Sequence, residues 1–222
     1  MSTPDERSSE LPPVYTSACI RDEPASWPLV DSVERFRGGI VAAYTDWVQV
    51  PGPQGTETVA RDRITHPGSV AVVALDEQFQ VLLLRQYRHA VARRLWEIPA
   101  GLRDNHGEDL VDAARRELLE ETGYQAEQWY TLLDSMPSPG FCDEQVRIFL
   151  ARGLWDVPAA KVTFQRVHEE AEIVLSWVPL DEAVSAAFAG HLHNSLVLCG
   201  VLAAHAAAQD GFSSLRPLDA PE

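Results

Sequence analysis

"GLRDNHGEDLVDAARRELLEETGY", residues 101–124, is the stretch on which the reading of this chain turns. Leu110, Ala113, Ala114 and Leu118 recur near the 3.6-residue period, which predicts a helix from Leu110 to Thr122. Gly101 precedes it in a predicted glycine turn. Gly123 follows it at the C′ position, where a positive φ costs glycine little. On that helix Glu117, Glu120 and Glu121 lie three and four residues apart and share one face. Each such like-charged contact costs about 0.2–0.5 kcal/mol, so something must offset it. One reading makes the run a solvated surface with Arg115 and Arg116 as partners. The other gathers the carboxylates around a divalent cation, because clustered carboxylate oxygens are hard ligands suited to Mg2+ or Mn2+.

The whole chain has 222 residues, 45% of them hydrophobic, which is enough to bury a substantial core. A formal net charge of −15 repels nucleic acids and anionic lipid at long range, so neither is an expected partner. Cys19, Cys142 and Cys199 are odd in number and lack CxxC spacing, which argues against a disulfide framework or a cysteine zinc site. His66, His89, His106, His191, His193 and His205 show no paired ligand spacing either, and His168 reads as a loop residue. The opening "MSTPDERSSELPP" has no basic n-region and no apolar h-region. The longest apolar run, "SLVLCGVLAAHAAA", is about 14 residues, too short to span a bilayer. A soluble, cytoplasmic protein is the expectation.

Residues 1–13 are polar and proline-bearing and read as a disordered tail. "GIVAAYTDWVQV" reads as strand and "PGPQG" as the turn after it. "SVAVVAL" (69–75) and "FQVLLLRQYR" (79–88), joined by "DEQ", read as a β-hairpin of buried strands. "EQWYTLLDSM", "VRIFLARGL" and "AEIVLSWVPL" are further strands. Asp181 is placed as the N-cap of a helix closing at Gly190, and Asn194 as the cap of a last helix through about Ala208. Strands in a run followed by helices predict an α+β fold with helices outside the sheets.

The residues from Glu108 to Tyr124 satisfy every fixed position of G-x5-E-x7-R-E-U-x-E-E-x-G-U after its first glycine, with Arg116 and Glu117 as the R-E pair and Leu118 and Tyr124 at the U sites. In this the chain resembles the signature box of the Nudix hydrolases. Six residues separate Gly101 from Glu108 where the pattern has five, and Tyr124 is aromatic where an aliphatic residue is usual. The resemblance implies an αβα sandwich with a mixed β-sheet, preceded by an N-terminal β-rich extension. Its divisions fall at 1–13 (tail), 14–64 (β-rich segment), 65–209 (Nudix domain) and 210–222 (C-terminal tail). It also implies Mg2+- or Mn2+-dependent hydrolysis of a nucleoside diphosphate linked to another group, with two or three ions per site. Glu117 and Glu121 are then the main ligands, Glu120 assists, and the backbone carbonyl of Ala100 is a further ligand. Glu108 pairs with Arg116 to orient the loop and the helix.

Features flanking the box narrow the resemblance to the bacterial homodimeric ADP-ribose pyrophosphatases. These are "RQYRHAVARRLWEIPAGL" before it, Pro139 at 15 residues beyond Tyr124, and the acidic stretch "HEEAEI" (168–173). The implied reaction is ADP-ribose plus water to AMP plus ribose 5-phosphate, with another nucleoside diphosphate sugar or a dinucleotide as the alternative substrate. A ligand sensor without turnover is a different class, but such modules usually lose a box glutamate, and here all are present. The resemblance further implies a homodimer in which the 14–64 segment crosses to the partner.

Each flanking residue carries two readings. Arg88 holds a phosphate or snorkels over apolar surface. Glu97 contacts substrate or a metal-bound water, or satisfies backbone amides. Trp96 is core or a stacking platform, and Pro139 shapes a turn or marks the substrate loop. Metal-ligating carboxylates are poor proton acceptors, so a general base is sought elsewhere. By resemblance the base is Glu170 ahead of its neighbour Glu169, while Glu172 is placed at the start of a strand. If neither serves, Glu121 or Glu120 must.

Overall fold

The computed structural model describes residues 20–103, 107–158 and 172–221. Strands β1 (Leu29–Arg37), β2 (Ala42–Gly52) and β3 (Gly55–Thr65) form an antiparallel sheet in that order. A mixed sheet holds β4 (Ser69–Ala74) between the short β7 (Ala100–Leu102) and β9 (Val146–Asp156), with β8 (Tyr124–Ser135) outside β9. Strands β4 and β9 run parallel and the other pairs antiparallel. A third sheet places β5 (Gln80–Arg88) between β10 (Val174–Pro179) and β6 (Arg93–Glu97). The helices are α1 (Leu110–Thr122), α2 (Leu180–Phe188) and α3 (Ser195–Gln209). Among the described residues no helix is long and apolar enough to cross a membrane.

Strand β4 explains the layering. All six of its residues are buried, and the five from Val70 to Ala74 alternate between two cores. Ala71 and Val73 pack with Val197, Val201 and Ala204 of α3. Val70, Val72 and Ala74 pack with Ala113, Ala114 and Leu118 of α1. The period-two pattern therefore sets α3 on one face and α1 on the other, which is the expected α+β sandwich. Burying each valine is worth about 1.5–3 kcal/mol as an upper estimate.

Two local expectations need correction. The 69–75 and 79–88 runs are both strands, yet they do not form a hairpin ladder: β4 and β5 belong to different sheets, joined by an isolated bridge between Leu75 and Val81. β4 and the 81–84 half of β5 are apolar on both faces, so periodicity could not tell which neighbours they take; β4 spends its hydrogen bonds on β9 and β7. The helix assigned to Asp181 starts earlier, with Pro179 at the N-cap and Asp181 in the first turn, where its charge favours the helix dipole. Asn194 does cap α3, its side chain accepting from the N–H groups of Leu196 and Val197.

The β1–β3 sheet is thinly covered: Leu29, Phe36 and Ile40 are each more than half exposed, as is Trp27 just before it. It joins the body through Ile64, whose N–H donates to Phe141 O at 2.7 Å and whose carbonyl accepts from Asp143 N at 3.2 Å.

Candidate active site

Helix α1 ends as expected. Gly123 takes φ 78° and its N–H donates to Leu119 O at 2.8 Å, a conformation open to glycine. Within the helix Arg116 is the hub of the acidic face. Its guanidinium donates to Glu108 at 3.2 and 3.3 Å, to Glu117 at 2.5 Å and to Glu120 at 3.3 Å. Partial burial alone would lower the Arg116 pKa, but hydrogen bonds and charge from Glu108 and Glu117 outweigh it and raise the pKa further. The expected pairing of Glu108 with Arg116 is present in this geometry.

Glu121 points elsewhere. It is buried, and its Oε2 accepts the backbone N–H of Ala100 at 2.9 Å, so the helix is tied to β7. Gly101, expected in a turn, lies instead in β7, opposite Val70 of β4. Its role is close approach: a Cβ there would stand 2.0 Å from Glu117 Cδ. Glu117, Glu121, Ala100 and Gly101 are thus brought together, with Glu120 linked to them through Arg116.

Beside this cluster Glu97 is 2% exposed. Arg88 donates to both its oxygens, at 2.9 and 2.6 Å, and Gln86 adds a bond at 3.3 Å. Strand alternation puts Gln86 and Arg88 on one face of β5, a signal that would have added Gln86 to the predicted set. Trp96 packs against the core below α3, with the Arg85 guanidinium 5.3 Å from its ring centroid.

Pro139 is exposed, in a turn where Phe141 and Cys142 N–H groups donate to Ser138 O. That turn is the one gripped by Ile64. Around it lies a polar set that sequence reasoning missed: Ser69 Oγ donates to Glu144 at 2.9 Å, and His66 N–H to Asp143 at 2.8 Å. No local motif joins residues that lie 75 and 77 positions apart. Glu172 precedes β10 rather than beginning it, and it pairs with Arg94 at 3.1 Å on the surface. Glu169 and Glu170 lie outside the described residues.

Among the described residues no three His, Cys, Asp or Glu side chains are gathered as a ready-made metal site. The carboxylates accept hydrogen bonds from protein donors, Glu117 and Glu120 from Arg116 and Glu121 from the Ala100 amide. The donor chemistry still fits a hard divalent cation, since every candidate ligand is a carboxylate or carbonyl oxygen. The missing Cβ of Gly101 leaves the Glu117 carboxylate room against the strand.

A carboxylate-rich helix tied to a glycine-bearing strand within a mixed α+β sandwich is suited to divalent-metal-dependent hydrolysis of phosphate anhydrides. A NUDIX domain matches residues 65–197, and the chain belongs to the Nudix hydrolase family, whose ADP-ribose pyrophosphatases generally use divalent metals. It is 43% identical over 190 residues to "ADP-ribose pyrophosphatase" of Mycobacterium tuberculosis, spanning 86% of this chain and 88% of that protein. It is 34% identical over 158 residues to "CMP-5'-(N-acetyl-N-hydroxy-3-aminopropyl)phosphonate hydrolase" of Streptomyces rubellomurinus, spanning 70% and 71% of the two chains. A crystal structure of an ADP compounds hydrolase superposes with a TM-score of 0.68 at 17% identity, covering 86% of this chain and all of that one, a likeness of fold.

Proposed function

We propose that this protein hydrolyses the pyrophosphate bond of ADP-ribose, giving AMP and ribose 5-phosphate. The observation that carries the substrate is the 43% identity to an ADP-ribose pyrophosphatase across nearly the full length of both chains. The reaction class rests on the carboxylates collected at β7.

Glu117, Glu120, Glu121 and the Ala100 carbonyl are the groups that would hold two or three Mg2+ or Mn2+ ions, which when bound neutralise the pyrophosphate and make water a better nucleophile. Arg116 holds Glu117 and Glu120 in register with Glu108. Glu121 fixes the distance between α1 and β7 through the Ala100 amide. Glu97 holds Arg88 by two hydrogen bonds, leaving a half-exposed guanidinium to face an anionic substrate. The 138–142 turn bearing Pro139 borders the substrate, and the β1–β3 sheet grips it through Ile64. Glu170, ahead of Glu169, takes the proton from the attacking water and Glu121 is the reserve. Glu170→Gln should then lower kcat by about 10²- to 10⁴-fold with substrate binding retained. If Glu169→Gln behaves so instead, the choice within the pair is wrong.

In the assembled enzyme the 14–64 segment belongs to a homodimer, in which it crosses to the partner. The exposed apolar residues of that sheet support this. A second reading, another nucleoside diphosphate derivative as substrate, is favoured by the likeness to a CMP-linked phosphonate hydrolase. A panel of ADP-ribose, other nucleoside diphosphate sugars and CMP-linked compounds, ranked by kcat/KM with Mg2+ and with Mn2+, separates the two. A top rank for anything but ADP-ribose overturns the first.

A further inference from the structure

Among the described residues the mixed sheet ends at β8, whose outer edge has no strand partner within the sheet. Residues 211–220 lie against it. Phe212 and Leu215 pack on the core at the α3 face, and Leu218 packs on the core at the α1 face, so the segment wraps around the edge from one face to the other. At the crossing Thr131 and Arg216 exchange both backbone hydrogen bonds, at 3.1 and 3.3 Å. Phe212 stacks on Phe79 with centroids 6.2 Å apart, and the Arg152 guanidinium lies 4.6 Å from the Phe212 ring.

The far end is held by charge. Asp134 accepts from Arg147 at 2.7 and 3.1 Å and from Arg216 at 2.9 Å, and Arg147 also donates to Ala220 O at 2.8 Å. Arg147 is 4% exposed while Asp134 and Arg216 remain partly open to solvent, so this is a charge-assisted node anchored on one buried guanidinium. Its position in the sheet matters. Asp134 pairs with Arg147, Arg147 with Val70, and Val70 with Gly101, so the four form one transverse row across β8, β9, β4 and β7. Laterally paired residues project to the same face, here the face that α1 covers. The row therefore begins at the C-terminal segment and ends at the glycine against which Glu117 rests.

We propose that residues 211–220 form a strap that closes the β8 edge and, through Asp134, Arg147 and Arg216 as positioning residues, holds β7 at the distance the carboxylate cluster requires. The inference rests on the proposed role of that cluster, but its test does not use substrate. Amide hydrogen exchange is measured on the full chain and on Arg216→Ala, whose side chain is 39% exposed, so that its loss spares the core. The expected result is exchange about three- to tenfold faster at Thr131 and equally at Ala100–Leu102, with β5 unchanged and Arg216→Lys restoring most of the protection. Direct Mn2+ titration of Arg216→Ala should show weaker binding by a similar factor. Faster exchange at Thr131 with β7 unchanged would overturn the coupling. Unchanged exchange at Thr131 would overturn the strap, and a uniform rise that includes β5 would reduce the effect to general destabilisation and overturn both. A failure of the ADP-ribose assignment would leave these exchange results untouched.

Discussion

The Glu121 carboxylate accepts the Ala100 N–H at 2.9 Å across 21 positions of sequence. One hydrogen bond thus joins the acidic helix to the strand that supplies the backbone carbonyl of the proposed metal site. With Gly101 against Glu117, it makes the gap between α1 and β7 a set dimension.

Replacing Glu121 with Gln keeps an oxygen for the Ala100 amide and removes the charge. The fold should therefore persist while kcat falls at least about 10²-fold. Thermal unfolding and saturating-Mg2+ kinetics check both halves. Near-normal turnover would sink the assignment of Glu121 to the metal.

Gly101→Ala places a methyl group 2.0 Å from Glu117 Cδ, so the carboxylate must leave its position. Divalent-cation affinity should drop by roughly 10- to 100-fold, the range seen when groups supporting ligands are disturbed. Calorimetric titration with Mn2+ reads this directly, and unchanged affinity would contradict the close approach.

Asp134 contributes a pH dependence set by its own partners, Arg147 and Arg216. Partial burial would raise its pKa, but hydrogen bonds and charge from Arg147 and Arg216 win and lower it. A depressed carboxylate pKa gives stability that is fully present above the unfolded value, about 3.9, and is lost as pH falls through the lower folded value. Wild-type thermal stability should thus carry an acid-side decline below about pH 4 that is shallower in Asp134→Asn. Identical slopes in the two proteins would show that the node carries no linkage.

The exposed faces of Leu29, Phe36 and Ile40 predict association through the β1–β3 sheet. Light scattering should give twice the 24.6 kDa chain mass, and Phe36→Glu should shift the protein toward monomer with reduced activity. A fully active monomeric wild type would exclude a shared site.

Helix α1 was legible to the residue at both ends, because a 3.6-period apolar stripe and Gly123 each act locally. The acidic face was legible for the same reason: its spacing is helical. What escaped was set by partners distant in sequence. Buried on both faces, β4 and the 81–84 half of β5 carry no mark of which sheet they join. Gly101 looked like a turn because the need for it comes from Glu117, a helix away. The node of Asp134, Arg147 and Arg216 joins residues 13 and 82 positions apart, and no short motif encodes it.

The central claim is tested most directly by incubating the full chain with ADP-ribose and Mg2+ and quantifying both products, with Glu121→Gln in parallel. The account predicts AMP and ribose 5-phosphate in equal amounts from the wild type and at least about 10²-fold less of each from the variant. Failure of the wild type to cleave ADP-ribose, or release of adenosine or inorganic phosphate as primary product, would contradict it.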